Sequence, residues 1–374
     1  MVGDCIGNCL LCGKCGGFAI LDSFRAGAET EPREGYGIAV DIGTTSVVLA
    51  LVDLSSGETP ARHSFFNPQR ECGPDVISRI HAANNGALEE LRRLVTERVA
   101  SGIDALLASR GAGRPVEIAV AGNTVMTHLL LGLPCESLGV VPFRPVCRLE
   151  ERYDLWGSGA SLFPWLAGFV GGDILAGLLY VPKQDRFLLI DLGTNGEMAL
   201  YDNGRLTVAA TAAGPAFEGG SRAGPASGVI SELARLVRAG VVDETGRLSG
   251  ESVFTQAEIR ALQLAKSAVR SGLEILLESA GLEYASLDAI YLAGGIGQAM
   301  DVEHAVTIGL LPPEAAGKVR AVGNASLGGA ARRLLAPERT RRDMDALLSA
   351  VTEINLAEHP RFQDLFVENM LFEV

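Results

Sequence analysis

The 374-residue sequence lacks the features by which nucleic-acid-binding, membrane and secreted proteins are recognised. It has 32 basic residues against 45 acidic ones, and the net charge of -13 argues against a broad basic face for nucleic acid or anionic lipid. No apolar stretch reaches the roughly 18 residues that a membrane helix requires. The first residues, Met1 to Cys5, carry no positive charge of the kind that opens a secretion signal. We therefore expect a cytoplasmic protein that binds neither nucleic acid nor membranes.

Two common nucleotide-binding motifs are absent as well. No Gly-x-x-x-x-Gly-Lys-Ser/Thr loop occurs, and the glycine-rich stretch Ala293 to Gly297 lacks the Gly-x-Gly-x-x-Gly spacing of dinucleotide-binding folds. Walker-type ATPases and dehydrogenases therefore lose support. The composition, with 48% hydrophobic and only 21% charged residues, does provide enough apolar surface for two domains or lobes.

One pattern of strands and turns occurs twice in the same order. An apolar run ends in Asp41-Ile42-Gly43-Thr44-Thr45 and is followed by a second β-rich run, and the same happens at Asp191-Leu192-Gly193-Thr194-Asn195-Gly196. Later in each copy a strand leads through a glycine turn into a helix, at Ala121-Gly122-Asn123-Thr124 and at Ala293-Gly294-Gly295-Ile296-Gly297. This internal duplication predicts an α/β fold with two similar lobes that face one another across a cleft.

The duplicated turns have a chemistry suited to a nucleotide. Glycine lets the backbone approach a ligand closely, threonine hydroxyls and backbone N–H groups can hold phosphate oxygens, and a carboxylate at the strand end can hold Mg²⁺ through water. A single Asp-x-Gly-Thr turn would be ordinary, but the paired occurrence predicts nucleotide binding. The candidate catalytic carboxylates are Asp41 and Asp191. The candidate nucleotide-binding residues are Gly43, Thr44, Thr45, Gly193, Thr194, Asn195, Gly196, Gly294, Gly295 and Gly297.

Asp173 is a third candidate carboxylate. It follows Gly171 and Gly172 at the start of an apolar helix. There it can act as the N-cap of that helix or position the attacking water, and the sequence leaves both roles open.

Four of the seven cysteines cluster near the start of the sequence: Cys5, Cys9, Cys12 and Cys15. Without a secretion signal, such clustering indicates a metal site rather than disulfides. Three of them repeat the spacing of bacterial ferredoxin runs, whereas structural zinc sites more often join two separate Cys-x-x-Cys pairs. We therefore favour an iron–sulfur cluster of the 4Fe–4S type in residues 1–20, with zinc as the alternative, and expect a linker over residues 21–35.

Taken together, the motifs resemble the ATPase superfamily of acetate and sugar kinases, heat-shock 70 chaperones and actin. Asp41 to Thr45 resembles its first phosphate motif, Asp191 to Gly196 its second, and Leu292 to Gly297 its adenosine motif. The resemblance implies two actin-like, ribonuclease H-like lobes around a nucleotide cleft, with ATP and Mg²⁺ as ligands. The expected segments are lobe I over residues 36–180, lobe II over residues 181–335 and a C-terminal extension over residues 336–374.

Within that superfamily, three stretches are similar to the reductive activators of corrinoid proteins: residues 212–219, 256–277 and 360–372. This resemblance implies that ATP hydrolysis moves the lobes and drives low-potential electron transfer to a metalloprotein partner, for which a corrinoid protein is a candidate. It also implies a homodimer, a ribose-side contact at Glu218 and an adenine-side contact at Lys266. For Lys266, a solvated lysine on an amphipathic helix is an equal alternative.

Two other functions remain open. One is a small-molecule kinase of the same fold, in which a carboxylate near the γ-phosphate deprotonates a substrate hydroxyl. The other is a regulatory ATP-binding module whose cysteines hold structural zinc. Phosphate release without an acceptor and the identity of the bound metal would separate the three.

Overall fold

The computed structural model describes residues 30–147, 149, 152–193, 195–217 and 226–373. The four clustered cysteines, Thr194 and Glu218 lie outside these ranges. The described chain forms two compact units. The N-terminal unit contains the described residues up to Val181 together with Asn324–Ser349, and the C-terminal unit contains Pro182–Gly323 together with the residues from Ala350 onward.

Strands and helices alternate along both units. The strands are β1 Tyr36–Ile42, β2 Ser46–Asp53, β3 Ala61–Phe66, β4 Ile118–Gly122, β5 Tyr153–Leu155, β6 Ser158–Leu162, β7 Arg186–Leu192, β8 Gly196–Asp202, β9 Arg205–Thr211, β10 Ala289–Ala293, β11 Val319–Gly323 and β12 Val351–Glu353. The α-helices are α1 Val76–Ala82, α2 Leu88–Ala108, α3 Thr124–Leu131, α4 Gly172–Tyr180, α5 Ala226–Arg238, α6 Gln256–Ala280, α7 Gly294–Ala299, α8 Val302–Thr307, α9 Ala325–Leu335, α10 Pro337–Ala350 and α11 Phe362–Glu368.

The two units contain six-stranded sheets of which five strands have the same topology. The N-terminal sheet has the strand order β3-β2-β1-β4-β6-β5 and the C-terminal sheet the order β11-β10-β7-β8-β9-β12. In each unit, three consecutive strands pair antiparallel, and two later strands, β4 and β6 or β10 and β11, add in parallel beside the first of them. The sixth strand differs, since β5 pairs with β6 whereas β12 pairs with β9. The duplicated α/β architecture predicted from the repeated motifs is therefore confirmed.

Both faces of the N-terminal sheet are covered, which explains why its strands are apolar almost throughout. One face packs the larger side chains of β1, such as Ile38 and Val40, against α2. The other face carries small residues, including Ala39 and Ala119, and packs against α4 and α9. Small residues on this face allow the helices to lie close to the strands.

Helix α9 follows strand β11 of the C-terminal sheet but belongs to the N-terminal unit. It packs closely against α4: a Cβ added at Gly329 would come closer than 3.0 Å to the backbone of Ala176, and one at Gly328 would come as close to the ring of Tyr180. The predicted segment boundaries placed residues 324–335 in lobe II, whereas the described chain returns here to the first unit.

The C-terminal unit is organised around the 25-residue helix α6. Thr255 and Glu258 form a capping box at its start, and Gly281, with a φ of 65°, ends it in the left-handed conformation. The end of the chain packs along this helix, where Ser267 donates a hydrogen bond to the carbonyl of Phe366. In the described part of the chain, every helix is too short or too polar to cross a bilayer.

Candidate functional site

The first predicted phosphate motif forms the tip of the β1–β2 hairpin. The N–H of Gly43 donates to the carbonyl oxygen of Ser46 at 3.0 Å and closes the turn. A Cβ added at Gly43 would lie 2.8 Å from that same oxygen, so the tight turn requires glycine. The next residue, Thr44, is buried, and its hydroxyl accepts a hydrogen bond from Asn123 at 3.1 Å.

Asp41, at the end of β1, is held by the start of helix α9. Its two carboxylate oxygens accept hydrogen bonds from Asn324 Nδ2 and Ser326 Oγ, each at 2.7 Å. Burial raises the pKa of Asp41, and the two hydrogen bonds oppose this rise because they favour the charged form. Asp41 is therefore a partly buried carboxylate with a fixed orientation.

Asn324 and Ser326 were not among the residues predicted from the sequence. Asn324 also caps α9, because its side-chain oxygen accepts the N–H of Leu327 at 2.7 Å. The signal was present in the pattern strand-Gly-Asn-helix, which occurs at Gly122-Asn123 and again at Gly323-Asn324. In both places the asparagine caps a helix and also reaches the first hairpin.

Asp173 belongs to the N-terminal unit as well. The N-cap of α4 is Gly171, so Asp173 occupies the first turn and is not the cap itself. The start of α4 packs closely against the start of α3, since a Cβ added at Gly171 would come closer than 3.0 Å to the backbone of Asn123. Carboxylates in a first helical turn are stabilised by the helix dipole. The role of Asp173 in positioning water stays a prediction.

In the C-terminal unit, the second phosphate motif and the adenosine motif lie next to each other. The N–H of Gly193 donates to the carbonyl of Asn195 at 3.0 Å at the tip of the β7–β8 hairpin. Asp191 is the penultimate residue of β7 and stands in register with Ala293 of the parallel strand β10. A Cβ added at Gly294, whose φ is 78°, would lie 2.5 Å from Asp191 Oδ1. Glycine at this position thus allows the carboxylate to pack against the turn.

The remaining predicted residues of this unit lie close by in sequence. Gly196 begins β8, and Gly295 and Gly297 lie within α7. A Cβ at Gly196 would lie 2.9 Å from Thr211 and 3.0 Å from Val269, so this glycine admits close packing under the hairpin.

Lys266 is buried on α6 with 1% of its surface exposed, so the solvated-lysine alternative is wrong. Its ammonium donates to the carbonyl of Leu371 and lies 5.3 Å from the ring centre of Phe372. Burial lowers the pKa of Lys266 to about 8, while the nearby charge of Glu373 acts in the opposite direction. The adenine-side role of Lys266 stays a prediction.

The fold, with one sheet and one phosphate-motif hairpin in each unit, is that of the actin-like ATPases. Residues 185–224 and 249–374 match the family described as the C-terminal domain of RACo, the ASKHA domain, and residues 36–184 match the RACo middle region. The chain belongs to the family of reductive activators of corrinoid proteins.

Individual relatives support this assignment. The chain is 31% identical to the corrinoid activation enzyme RamQ of Eubacterium limosum, over 95% of this chain and 73% of the relative. It is 25% identical to a Co(II) methylated amine-specific corrinoid protein reductase of Methanosarcina barkeri, over 82% of this chain and 71% of that one. A solved structure described as a reductive activator for corrinoid, iron–sulfur protein superposes with a TM-score of 0.80 at 30% identity, covering 92% of this chain and 67% of its own.

Proposed function

We propose that this protein binds and hydrolyses ATP and uses the free energy to drive low-potential electron transfer to a corrinoid protein. The observation that carries the ATP part is the repetition of one arrangement in the two sheets: an aspartate is the penultimate residue of a strand, and a glycine-threonine sequence follows in the turn of the hairpin. The corrinoid partner is supported by the family to which the chain belongs and by the named activities of its relatives.

Both hairpins contain groups that can bind phosphate oxygens and Mg²⁺. The hydroxyls and backbone N–H groups of the turns from Gly43 to Thr45 and from Gly193 to Gly196 bind phosphate oxygens, except the N–H groups of Gly43 and Gly193, which close the turns. Asp41 and Asp191 hold Mg²⁺ through its water molecules, and the glycines from Gly294 onward lie against the nucleoside. Mg²⁺ neutralises charge on the phosphates when it is bound.

Asp41 fits a role in holding hydrated Mg²⁺. Each of its oxygens accepts one hydrogen bond from a neutral side chain, and a carboxylate oxygen can accept more than one. The carboxylate can therefore accept a water molecule without losing the orientation that Asn324 and Ser326 impose. A cation nearby also favours its charged form, which offsets the effect of burial on its pKa.

The electron carrier that we propose is a 4Fe–4S cluster bound by Cys5, Cys9, Cys12 and Cys15, which lie outside the described residues. Four thiols at short spacings suit iron–sulfur chemistry, and such a cluster supplies one-electron transfer when it is bound. Among the residues that the structure describes, no group of three or more histidine, cysteine or acidic side chains could hold a metal ion. The homodimer and the cytoplasmic location stay predictions.

The first test measures iron, acid-labile sulfide and zinc per chain after anaerobic purification. We expect iron with matching sulfide, lost when the four clustered cysteines are replaced by serine. The matched control is Cys147→Ser, because Cys147 is an exposed cysteine of the N-terminal unit. Zinc, or no metal, would contradict the electron-transfer proposal and favour the regulatory module.

The second test follows ATP hydrolysis and the reduction of a Co(II) corrinoid protein by its absorbance, with a low-potential reductant present. Asp191→Ala should abolish Mg²⁺-dependent hydrolysis while the far-ultraviolet circular dichroism stays that of the wild type. The control is Asp202→Ala, which changes an aspartate at the far end of β8 that pairs with Arg186. Unchanged turnover in Asp191→Ala would contradict the site assignment, and phosphate transfer to a small molecule would favour the kinase.

A further inference from the structure

A buried arginine lies behind the first phosphate hairpin. Arg79, on α1, has no exposed surface. Its Nε donates to the carbonyl of Gly73 at 2.9 Å, its Nη2 donates to the carbonyl of Thr44 at 2.7 Å, and its Nη1 contacts the sulfur of Met126 at 3.2 Å. A single guanidinium thus connects a loop, the hairpin tip and helix α3.

The neighbouring carbonyl of the tip is held in the same way. The amide Nδ2 of Asn67, also fully buried, donates to the carbonyl of Gly43 at 2.9 Å. The oxygen of the same side chain accepts the N–H of Gln69 at 3.0 Å, which fixes the orientation of the amide. Two successive peptide groups of the hairpin tip are therefore bound through their carbonyl oxygens.

This arrangement determines where the opposite ends of those peptide groups point. In a planar trans peptide, the C=O and the N–H point in opposite directions, and in the described chain the cis peptide bond is Val141–Pro142, away from this hairpin. The N–H groups of Thr44 and Thr45 consequently face away from Asn67 and Arg79. Successive backbone N–H groups exposed in a turn can donate to the oxygens of a phosphate group.

Among the described residues, no carboxylate forms an ion pair with Arg79 at hydrogen-bond distance, although Asp75 acts on its charge from farther away. Its hydrogen-bond partners in the described chain are two carbonyl oxygens and a thioether. Burial lowers its pKa to about 10, with a smaller opposing effect of Asp75, so the guanidinium is still charged at neutral pH. Buried charges are normally paired, because removal from water is costly. An anion bound at the hairpin tip would supply the missing negative charge.

We propose that Arg79 is a positioning residue for the phosphates of the nucleotide, acting through the peptide between Thr44 and Thr45. Its hydrogen bond orients that peptide with the N–H directed to the ligand, and its charge increases the attraction for an anion there. The proposal rests on the proposed ATP binding. If Arg79 were only a structural clamp, its loss would lower stability without changing the preference for phosphates.

The test compares Arg79→Met and Arg79→Lys in the full-length chain. The dissociation constants of ATP and of adenosine are each measured by calorimetry. Stability is measured by urea unfolding. The matched control is Arg332→Met, since Arg332 is a part-buried arginine of the same unit that pairs with Asp343 at 3.0 Å and donates to the carbonyl of Leu179.

We expect Arg79→Met to weaken the binding of ATP about tenfold, equivalent to about 1.4 kcal/mol, and to leave the affinity for adenosine unchanged. Arg79→Lys keeps the charge but not the three contacts, so its affinity for ATP should fall by less than that of Arg79→Met. Arg332→Met should lose stability and keep the ratio of the two affinities.

A ratio of ATP to adenosine affinity equal to the wild-type ratio in the folded Arg79 variants would overturn the proposal and leave ATP binding intact. If Arg79→Met does not fold, the ratio in Arg79→Lys decides in the same way. Absence of ATP binding in the wild-type chain would overturn the proposed function itself, and this inference with it.

Discussion

The orientation of Asp41 depends on two neutral hydrogen-bond donors that lie far away in the sequence. Asn324 and Ser326 are separated from Asp41 by 283 and 285 positions, yet each donates to one of its oxygens. Because the carboxyl group is partly buried, these bonds have two effects. They fix its direction, and they keep its pKa from rising as far as burial alone would raise it.

Replacing Ser326 by alanine should therefore change the pH dependence of hydrolysis. Without the Ser326 hydroxyl, the pKa of Asp41 is higher, so the carboxylate takes up a proton at a higher pH. The acidic limb of the kcat/KM profile for Mg²⁺-dependent hydrolysis should move to higher pH. Loss of a hydrogen bond to a charged acceptor should also cost about 1.5–3 kcal/mol of stability.

Ser161→Ala is the matched control for this change, because Ser161 is also a buried serine of the same unit and donates to a carboxylate, Glu117, at 3.2 Å. It should lower stability without moving the pH profile. A profile of Ser326→Ala that coincides with that of the wild type would contradict the role of Asp41 in hydrolysis.

At the scale of elements, the hairpins were predictable and the partner of α9 was not. The alternation of apolar runs with Asp-x-Gly-Thr turns is local, and it predicted a strand before each turn, where the structure has β1 and β7. The small residues of α9 indicate close packing but not the identity of the neighbouring helix. Arg79 and Asn67 have no distinctive pattern around them in the sequence. Their contacts with the hairpin tip become visible only in the folded structure.

The contact between α9 and α4 should be sensitive to a single methyl group. In Gly329→Ala the added Cβ would come closer than 3.0 Å to the backbone of Ala176, so the helices must separate. We expect a loss of about 1–3 kcal/mol in the free energy of unfolding, measured by urea denaturation. Hydrolysis should fall as well, because the start of α9 carries the side chains that hold Asp41.

Gly113→Ala serves as the control for Gly329→Ala. Gly113 lies in the same unit, and a Cβ added there meets no atom within 4 Å. Equal stability of the two alanine variants would show that α9 and α4 are not packed as described.

On the scale of the whole molecule, the first unit is discontinuous in sequence, because its last segment follows most of the residues of the second unit. Residues 324–349 belong with the N-terminal unit, although Pro182–Gly323 precede them in the other. A contiguous first lobe, as the sequence predicted over residues 36–180, would leave one face of its sheet without its partner helix. That face includes Ala39 and Ala119, which pack with Leu327 and Leu334 of α9.

A fragment of residues 30–181 should therefore not fold stably, whereas the same fragment joined to residues 324–349 should. Burial of a leucine side chain contributes about 1.5–3 kcal/mol, and a unit that lacks α9 leaves several such contacts unmade. A flexible Gly/Ser linker of about ten residues should suffice as a connection, since Tyr180 at the end of α4 contacts Gly328. Cooperative urea unfolding and protected amides in hydrogen exchange are expected of the joined fragment alone. Equal cooperativity of the two fragments would mean that the N-terminal unit is complete without α9, and the boundary between the units would then have to be drawn elsewhere.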